Sequence, residues 1–469
     1  MKLRYPYLAA VCACTILACP PLSAQTAKES ELDALRQEIQ SMRQEYESRI
    51  SDLEARLEAA EQAAAEAAAP QPAAQQSYAD TSYADTSYQD TTYASANTVS
   101  VARDRSFNPA IGVTFQGQAW AYQNDPDNYV VPGFPLAGES GPAPEGLSLG
   151  ETEISLSANV DDKFTAMINM PVKVEDGEAS VELEEAWIET LGLPAGLAVR
   201  MGRFYSSLGY LNSRHSHTWD FADAPLVYEA LLGTQYTDTG LQLRWLAPTD
   251  FYLELTGEVY RGDRYPAGGA GNSGFGSRVL SAKTGGDVGY SSSWLFGLAW
   301  LSADAVDRAS GNPDDPLLFN GDVDLYAANF VWKWAPNGNW RQRNFKFQAE
   351  YLWRNEDGAY TLPGQDPGPW DTNQGGWYAQ AVYQPFPQWR IGGRVERMSG
   401  DDPGGFWLAT PLDPMGHDPS RYSLMVDWSN SEFSRLRLQY NYDRSSMDSD
   451  NQLGLQYIFS IGAHGAHTF

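Results

Sequence analysis

Alternating apolar and polar residues recur in roughly sixteen segments from residue 107 to the end of the chain, joined by short and long connections in turn. In one segment, Phe345 and Phe347 alternate with Lys346 and Gln348. Successive side chains of a strand point to opposite faces, so each segment predicts a strand with one apolar and one polar face. We therefore predict an all-β transmembrane barrel of about 16 antiparallel strands over 107–469.

The rest of the composition agrees with a barrel. After the N-terminus no run of about 20 apolar residues occurs, as a membrane-spanning helix would need, and only helices and closed barrels satisfy their backbone groups in lipid. All fifteen Trp lie at or after Trp120, which suits aromatic girdles at the membrane surfaces. We expect the outer membrane of a Gram-negative cell as the location, and its lipid rather than nucleic acid as a partner.

The N-terminus reads as a secretory signal peptide over 1–24. Lys2 and Arg4 precede the apolar run Leu8–Ala18, and Leu22-Ser23-Ala24 is a suitable cleavage site. All three cysteines precede that site, so the mature chain has no disulfide framework. Cys19 follows Ile16-Leu17-Ala18, a loose lipobox, and its lipidation stays open as an alternative.

Residues 28–69 predict a periplasmic α-helical coiled coil, because apolar residues recur at steps of three and four between Leu32 and Ala64. Such a helix has nothing of its own to bury its apolar seam against, which implies self-association; a single solvated helix is the alternative. Residues 70–106 repeat Ser-Tyr-Ala-Asp-Thr without apolar periodicity and predict a low-complexity linker. Its tyrosines could contact peptidoglycan, or the segment could be a plain tether.

Strand parity also predicts which charged residues face the lumen. A wall of cations would attract anions, because rings of charge set pore selectivity. Each cation could instead pair with a neighbouring carboxylate such as Glu254, Glu350 or Glu396. The inward cations are Arg200, Arg244, Lys346, Arg390, Arg394, Arg435 and Arg437.

Long outer loops are predicted at 123–149, 208–237, 304–321 and 399–419. The loop 208–237 lies between the fifth and sixth strands and is unusually apolar. We expect it to fold inward and to place Asp220, Asp223 and Glu229 opposite the lumen cations.

A sixteen-strand register, a long third loop and a terminal Phe469 resemble the bacterial trimeric porins. The N-terminal coiled coil is similar to that of DcaP-like porins. The resemblance implies a homotrimer, formed through the coiled coil and the barrel, that lets small hydrophilic solutes, anions included, diffuse passively. It also implies that the third loop forms the pore constriction, with Asp220, Asp223 and Glu229 as candidates.

A second resemblance concerns the histidines. His215-Ser216-His217 and the ending with His464 and His467 are similar to outer-membrane proteins labelled TonB-dependent receptors, some of them linked to zinc. Imidazole is a common zinc ligand, so His215 and His217 form a candidate metal pair if their segment is extended; polar loop histidines are the alternative. No other cofactor is expected. A receptor of this class needs a barrel of about 22 strands around a plug.

No enzymatic motif is present. The chain lacks the nucleophile elbow, the phosphate loop and the zinc-protease helix motif. A trimeric adhesin would contribute few strands per chain, which sixteen segments contradict. We predict a chain that is not an enzyme.

Overall fold

Sixteen antiparallel strands form one barrel in the computed structural model, which describes residues 109–137, 140–175, 178–269 and 271–462. Strands β2 and β4 each consist of two segments. The strands are β1 Ala110–Ala121, β2 Gly146–Leu149 with Thr152–Asn159, β3 Phe164–Glu175, β4 Glu178–Val181 with Glu185–Thr190, β5 Leu197–Tyr205, β6 Thr237–Leu246, β7 Tyr252–Tyr260, β8 Ser277–Val288, β9 Ser292–Ser310, β10 Leu317–Trp334, β11 Asn344–Thr361, β12 Gly368–Phe386, β13 Trp389–Gly400, β14 Ser420–Ser431, β15 Ser434–Arg444 and β16 Asp450–Gly462.

The barrel is closed by its first and last strands. β1 pairs antiparallel with β16 from Gly112–Gly462 to Ala121–Leu453, and every other strand pairs with its neighbours in the chain. Closure leaves no edge strand with unpaired backbone groups. The predicted fold class is therefore confirmed, and the strand number agrees with the expected sixteen.

Short turns lie at one end of the barrel and most long loops at the other. The turns include 160–163 and 432–433, and the long loops include 122–145, 206–236 and 401–419. The outer loop predicted at 304–321 is wrong, because β9 continues to Ser310 and β10 begins at Leu317. Backbone pairing continues across this polar stretch as far as Ser310–Leu317, after an irregularity between Ala305 and Arg308.

Along most of the strands, apolar side chains face outward and polar side chains face inward; apolar residues also face inward where the inner loop packs on the wall. In β15, Leu438 and Tyr440 are 49 % and 41 % exposed, whereas Gln439 and Asn441 are fully buried. The same alternation holds in β7, where Leu255 is exposed between the buried Glu254 and Thr256. The barrel is thus the inverse of a soluble protein, and the predicted parity is confirmed in these strands.

The packed core of the molecule lies inside the barrel. Residues 206–236, which we call the inner loop, contain the helix α1, Leu226–Leu232, and all seven of its residues are buried. Apolar residues of the loop pack on apolar residues that point inward from the wall: Leu301, Leu325, Leu352, Tyr378 and Met398.

Short 3₁₀ turns are at Pro126–Asn128, Pro194–Gly196, Ser216–Thr218, Pro336–Gly338 and Gly405–Trp407. Among the described residues, no helix is both long enough and apolar enough to cross a bilayer. The predicted signal peptide, coiled coil and linker, together with His464, His467 and Phe469, lie outside the described residues.

Candidate functional site

The inner loop is held in the lumen by contacts along its whole length. Helix α1 begins after Pro225, and the backbone N–H of Leu226 donates to Glu396 on β13. The helix ends at Gly233, whose left-handed conformation (φ 64°) favours glycine. A wall carboxylate thus takes one of the helix N–H groups that have no partner within the helix.

Glu350 on β11 anchors the first part of the loop. Its carboxylate accepts hydrogen bonds from the backbone N–H groups of Tyr210 at 2.7 Å and Leu211 at 3.0 Å. It also accepts from the hydroxyls of Tyr228 on α1 and Tyr378 on β12. A buried carboxylate is tolerated when donors surround it in this way, so Glu350 acts as an anchor for the loop rather than as a free charge.

Asp220 bridges the loop to two wall cations. It lies 2.9 Å from Lys346 Nζ on β11 and 2.9 Å from Arg390 Nη1 on β13. Burial alone would raise the pKa of Asp220, but Lys346 and Arg390 outweigh it and hold that pKa below its ordinary value. Asp220 is therefore an anion at neutral pH, in direct contact with the cations.

Asp223 contacts four side chains of the barrel wall. Arg394 Nη2 donates to it at 2.6 Å and Arg421 Nη1 at 3.2 Å. The side-chain amides of Gln439 and Asn441 on β15 donate at 2.6 and 2.9 Å. Burial opposes ionisation, yet Arg394 and Arg421 lower the pKa of Asp223. Its charge is fixed by wall groups from three strands.

Glu229 on α1 differs from the two aspartates. Arg421 Nη1 donates to its Oε1 at 3.0 Å, but among the described residues its buried Oε2 has no hydrogen-bond partner. Burial raises the pKa of Glu229 to about 7. Arg421 offsets only part of this effect of burial, and the negative charges of Asp223 and Asp443 raise the pKa further. Glu229 is thus a group that titrates near neutral pH.

All seven predicted lumen cations contact inward-facing partners. Besides the pairs above, Arg200 and Arg244 share Glu189 on β4 at 2.7 and 2.8 Å. Arg394 also pairs with Glu396 at 2.7 Å.

Asp427 on β14 contacts two of the seven cations. It pairs with Arg390 and with Arg437, whose Nε lies 2.8 Å from Oδ1. Arg437 also donates to the carbonyl of Trp219 at 2.8 Å, and Arg435 donates to the carbonyl of His217. Asp220, Asp223 and Glu229 of the inner loop thus contact wall cations directly. Four of the seven cations are partly exposed. The side chains of Arg244, Lys346 and Arg390 are 16 %, 18 % and 22 % exposed, and Arg435 is half-buried.

Sequence reasoning missed Arg421 and Asp427. Arg421 on β14 contacts Asp223, Glu229 and Asp443 and is the centre of this network. The outward set Tyr422, Leu424 and Val426 has the opposite parity, so the alternation of β14 could have identified both residues as inward.

The two histidines lie together against β2 and β4. Their rings stack with centroids 5.6 Å apart, although the segment forms the 3₁₀ turn Ser216–Thr218 rather than the extended chain assumed from the sequence. His215 Nδ1 is 3.5 Å from Glu153 Oε1 and from Glu184 Oε2, and His217 Nδ1 is 3.1 Å from Glu153 Oε1. Burial would lower the pKa of His215, but Glu153 raises it well above its ordinary value. His417, by contrast, lies at the surface. Among the hydrogen bonds between described residues, its ring makes one, with the backbone carbonyl of Arg444.

Solved outer-membrane proteins are similar to the chain at low identity. The outer-membrane channel DcaP of Acinetobacter baumannii is 13 % identical, with 75 % of this chain and 96 % of that chain covered and a TM-score of 0.46. An OmpF complex with daunomycin from Salmonella typhi is 11 % identical over 75 % and 97 %, with a TM-score of 0.47. An anion-selective porin from Comamonas acidovorans is 10 % identical over 75 % and 98 %, with a TM-score of 0.45.

No family model matches the sequence. One curated relative, an uncharacterised protein of Aquifex aeolicus (strain VF5), is 33 % identical over 343 residues, which are 69 % of this chain and 70 % of that protein. The chain therefore belongs to the same protein family as this Aquifex aeolicus protein.

Proposed function

We propose that the protein is an outer-membrane channel through which small hydrophilic solutes diffuse passively. The observation that carries this proposal is the two-faced wall of a closed barrel: apolar side chains face outward and charged and amide side chains face inward. An outward apolar surface suits hydrocarbon, and a polar interior is typical of water-filled barrels of this size.

The inner loop forms the constriction of this channel. It carries Asp220, Asp223 and Glu229, and it contacts the wall cations Lys346, Arg390 and Arg394. Because most of these charges neutralise one another in pairs, they hold the loop in place and leave few of them to act on a passing solute. Solute size would then be limited by the position of the loop.

The channel favours anions. Arg244, Lys346 and Arg390 retain partial exposure while their acidic partners are nearly buried, as with Glu189 at 3 % and Asp220 at 6 %. A solute in the lumen would meet the cationic ends of these pairs first. Exposed charge near a low-dielectric wall attracts the opposite charge.

The assembly is a homotrimer in this proposal, with lipid around its outer surface and the N-terminal helix in the periplasm. The support is the heptad pattern of residues 28–69, which needs partner helices to bury its seam. Peptidoglycan remains a proposed contact of residues 70–106.

A TonB-dependent receptor fits less well. Its barrel would need about 22 strands around a separate plug, whereas this barrel has sixteen and its lumen contains its own inner loop. The receptor alternative rests on no observation in the described residues.

Planar-bilayer recording of the purified full-length protein under a salt gradient tests the proposal. We expect step-like openings in multiples of three, with a reversal potential that indicates anion preference. A folded barrel that gives no conductance would contradict the proposed channel activity. A reversal potential that indicates cation preference would contradict only the proposed anion selectivity. Single steps would count against the trimer alone.

A further inference from the structure

Four ligand-bearing side chains converge where the inner loop meets β2 and β4. Glu151, Glu153, Glu184 and His215 each offer one ligand atom, and these four atoms all lie within 4.8 Å of one another. Ligands about 2.1 Å from a tetrahedral zinc ion are roughly 3.4 Å apart. A modest contraction would therefore close all four atoms around one ion.

This cluster brings several carboxylates together beside two histidines. Elsewhere, buried carboxylates such as Asp220 and Asp427 contact arginine or lysine. In this cluster, by contrast, the ion-pair partners are histidines. Among the ion pairs between described residues, Glu153, Glu184 and Glu185 pair with His215 or His217. Clustered carboxylates in a buried site need a compensating cation, and a divalent ion would supply it.

Asn169 on β3 marks the centre of the cluster. Its Nδ2 lies 3.1 Å from Glu153 Oε2, 2.8 Å from Glu184 Oε2 and 3.2 Å from His215 Nδ1. An amide nitrogen has two protons, so when His215 Nδ1 carries no proton, Asn169 cannot donate to all three atoms. One of the three atoms then keeps a lone pair that Asn169 does not bind, and a cation in the cluster would bind that lone pair.

The second ring nitrogen of His215 has the partner that a metal-bound imidazole requires. Its Nε2 is 3.1 Å from Glu185 Oε2. A ligating histidine usually donates its other N–H to a carboxylate, which fixes the tautomer and the ring orientation. With that proton on Nε2, the Nδ1 lone pair points at Glu153 and Glu184.

Both strands are irregular where they supply these ligands. Between the pairs Gly117–Leu149 and Thr114–Glu153, β1 advances three residues and β2 four, so β2 contains one extra residue beside Glu151. β4 likewise advances four residues against three of β3 between Val181 and Glu185, beside Glu184. Such bulges re-aim side chains next to functional sites.

We infer that Glu151, Glu153, Glu184 and His215 bind one divalent transition-metal ion that fastens the inner loop to β2 and β4. The mixture of imidazole and carboxylate ligands suits zinc and its first-row neighbours. Glu185 is a positioning residue that orients His215. The inference does not depend on the proposed channel activity, because metal binding is measured without transport.

The test uses the full-length protein in detergent, stripped with a chelator and then equilibrated with Zn²⁺. Bound zinc is counted by elemental mass spectrometry, and its affinity is measured by competition with a chromogenic chelator. We expect His215→Asn and Glu153→Gln to bind one equivalent fewer than the wild type. Glu185→Gln should keep that equivalent with an affinity weakened about 10- to 100-fold.

His417→Asn is the matched control and should bind zinc like the wild type, because the ring of His417 contacts the carbonyl of Arg444 rather than a residue of the cluster. If His215→Asn and Glu153→Gln bind the same number of ions with unchanged affinity, the inference is overturned. Heat-modifiable electrophoretic mobility checks that each variant is a folded barrel. X-ray absorption of the zinc-loaded wild type gives an answer that needs no variant: a first shell without imidazole overturns the site, and one with imidazole and carboxylate supports it.

Discussion

Arg421, on strand β14 of the barrel wall, donates to Glu229, on helix α1 of the inner loop, at 3.0 Å. The same guanidinium contacts Asp223 of the loop and Asp443 of β15, at 3.2 and 2.9 Å. One buried arginine therefore joins the wall to both acidic positions in the second half of the loop.

Replacing Arg421 with Ala should be strongly destabilising. The change removes the cation shared by the buried Glu229 and Asp443 and the half-buried Asp223. Breaking a buried ion pair on one side costs about 3–5 kcal/mol. The free energy of unfolding can be measured by urea titration in lipid vesicles with tryptophan fluorescence. Arg397→Ala is the control, because its pair with Asp418 is exposed and should change stability by less than about 1 kcal/mol. Equal effects for the two variants would contradict this role.

Stability should fall between about pH 4.5 and pH 7 because of Glu229. Its pKa is raised to about 7 in the folded protein, against an ordinary value of 4.5, so its contribution is fully present below pH 4.5 and is lost as the pH rises through 7. A shift of this size corresponds to at most about 3.4 kcal/mol.

Asp220 and Asp223, whose pKa values are lowered, stay charged over that range and add no slope. The measurement is the same urea titration repeated across the pH range. Glu229→Gln should flatten the profile; a variant with the full slope of the wild type would show that another group is responsible.

Ion selectivity should move toward cations when the partly exposed lumen cations are removed. In the double variant Arg390→Ala with Lys346→Ala, Asp220 loses both partners and its negative charge becomes available to the lumen. The reversal potential under a salt gradient reports the shift. Arg397→Ala, exposed near the outer end of β13, is the matched single-charge control. A reversal potential unchanged from the wild type would remove the argument for anion preference.

Glu350→Gln should loosen the first half of the inner loop. The carboxylate accepts from Tyr210, Leu211, Tyr228 and Tyr378, whereas a glutamine offers one acceptor oxygen and two donors. Hydrogen bonds to a charged group are worth about 1.5–3 kcal/mol. We expect faster proteolytic cleavage within 206–236 while the barrel stays intact. Glu189→Gln is the control, because this buried wall carboxylate pairs with Arg200 and Arg244. Equally fast cleavage of the inner loop in that variant would contradict the anchor assignment.

The barrel itself could be predicted from the sequence because its signal is local. A strand needs only period-two alternation, and a closed barrel needs that alternation in every strand; Phe345 to Glu350 already carried it. The inward cations, from Arg200 to Arg437, followed from the same parity. The end of β9 could not be predicted in this way, because residues 304–310 mix polar and apolar side chains on both faces and show no clear alternation.

The pairing inside the lumen depended on the tertiary structure. Sequence parity places Arg394 and Arg421 on the inner face, but nothing in it says that Asp223, about 170 and 200 residues earlier, contacts both. The same holds for the histidines: the sequence singled out His215 and His217, and only the folded loop brings them to Glu153 and Glu184. Local periodicity determines which way a side chain points, whereas the partner it meets depends on how a closed barrel and its inner loop pack in three dimensions.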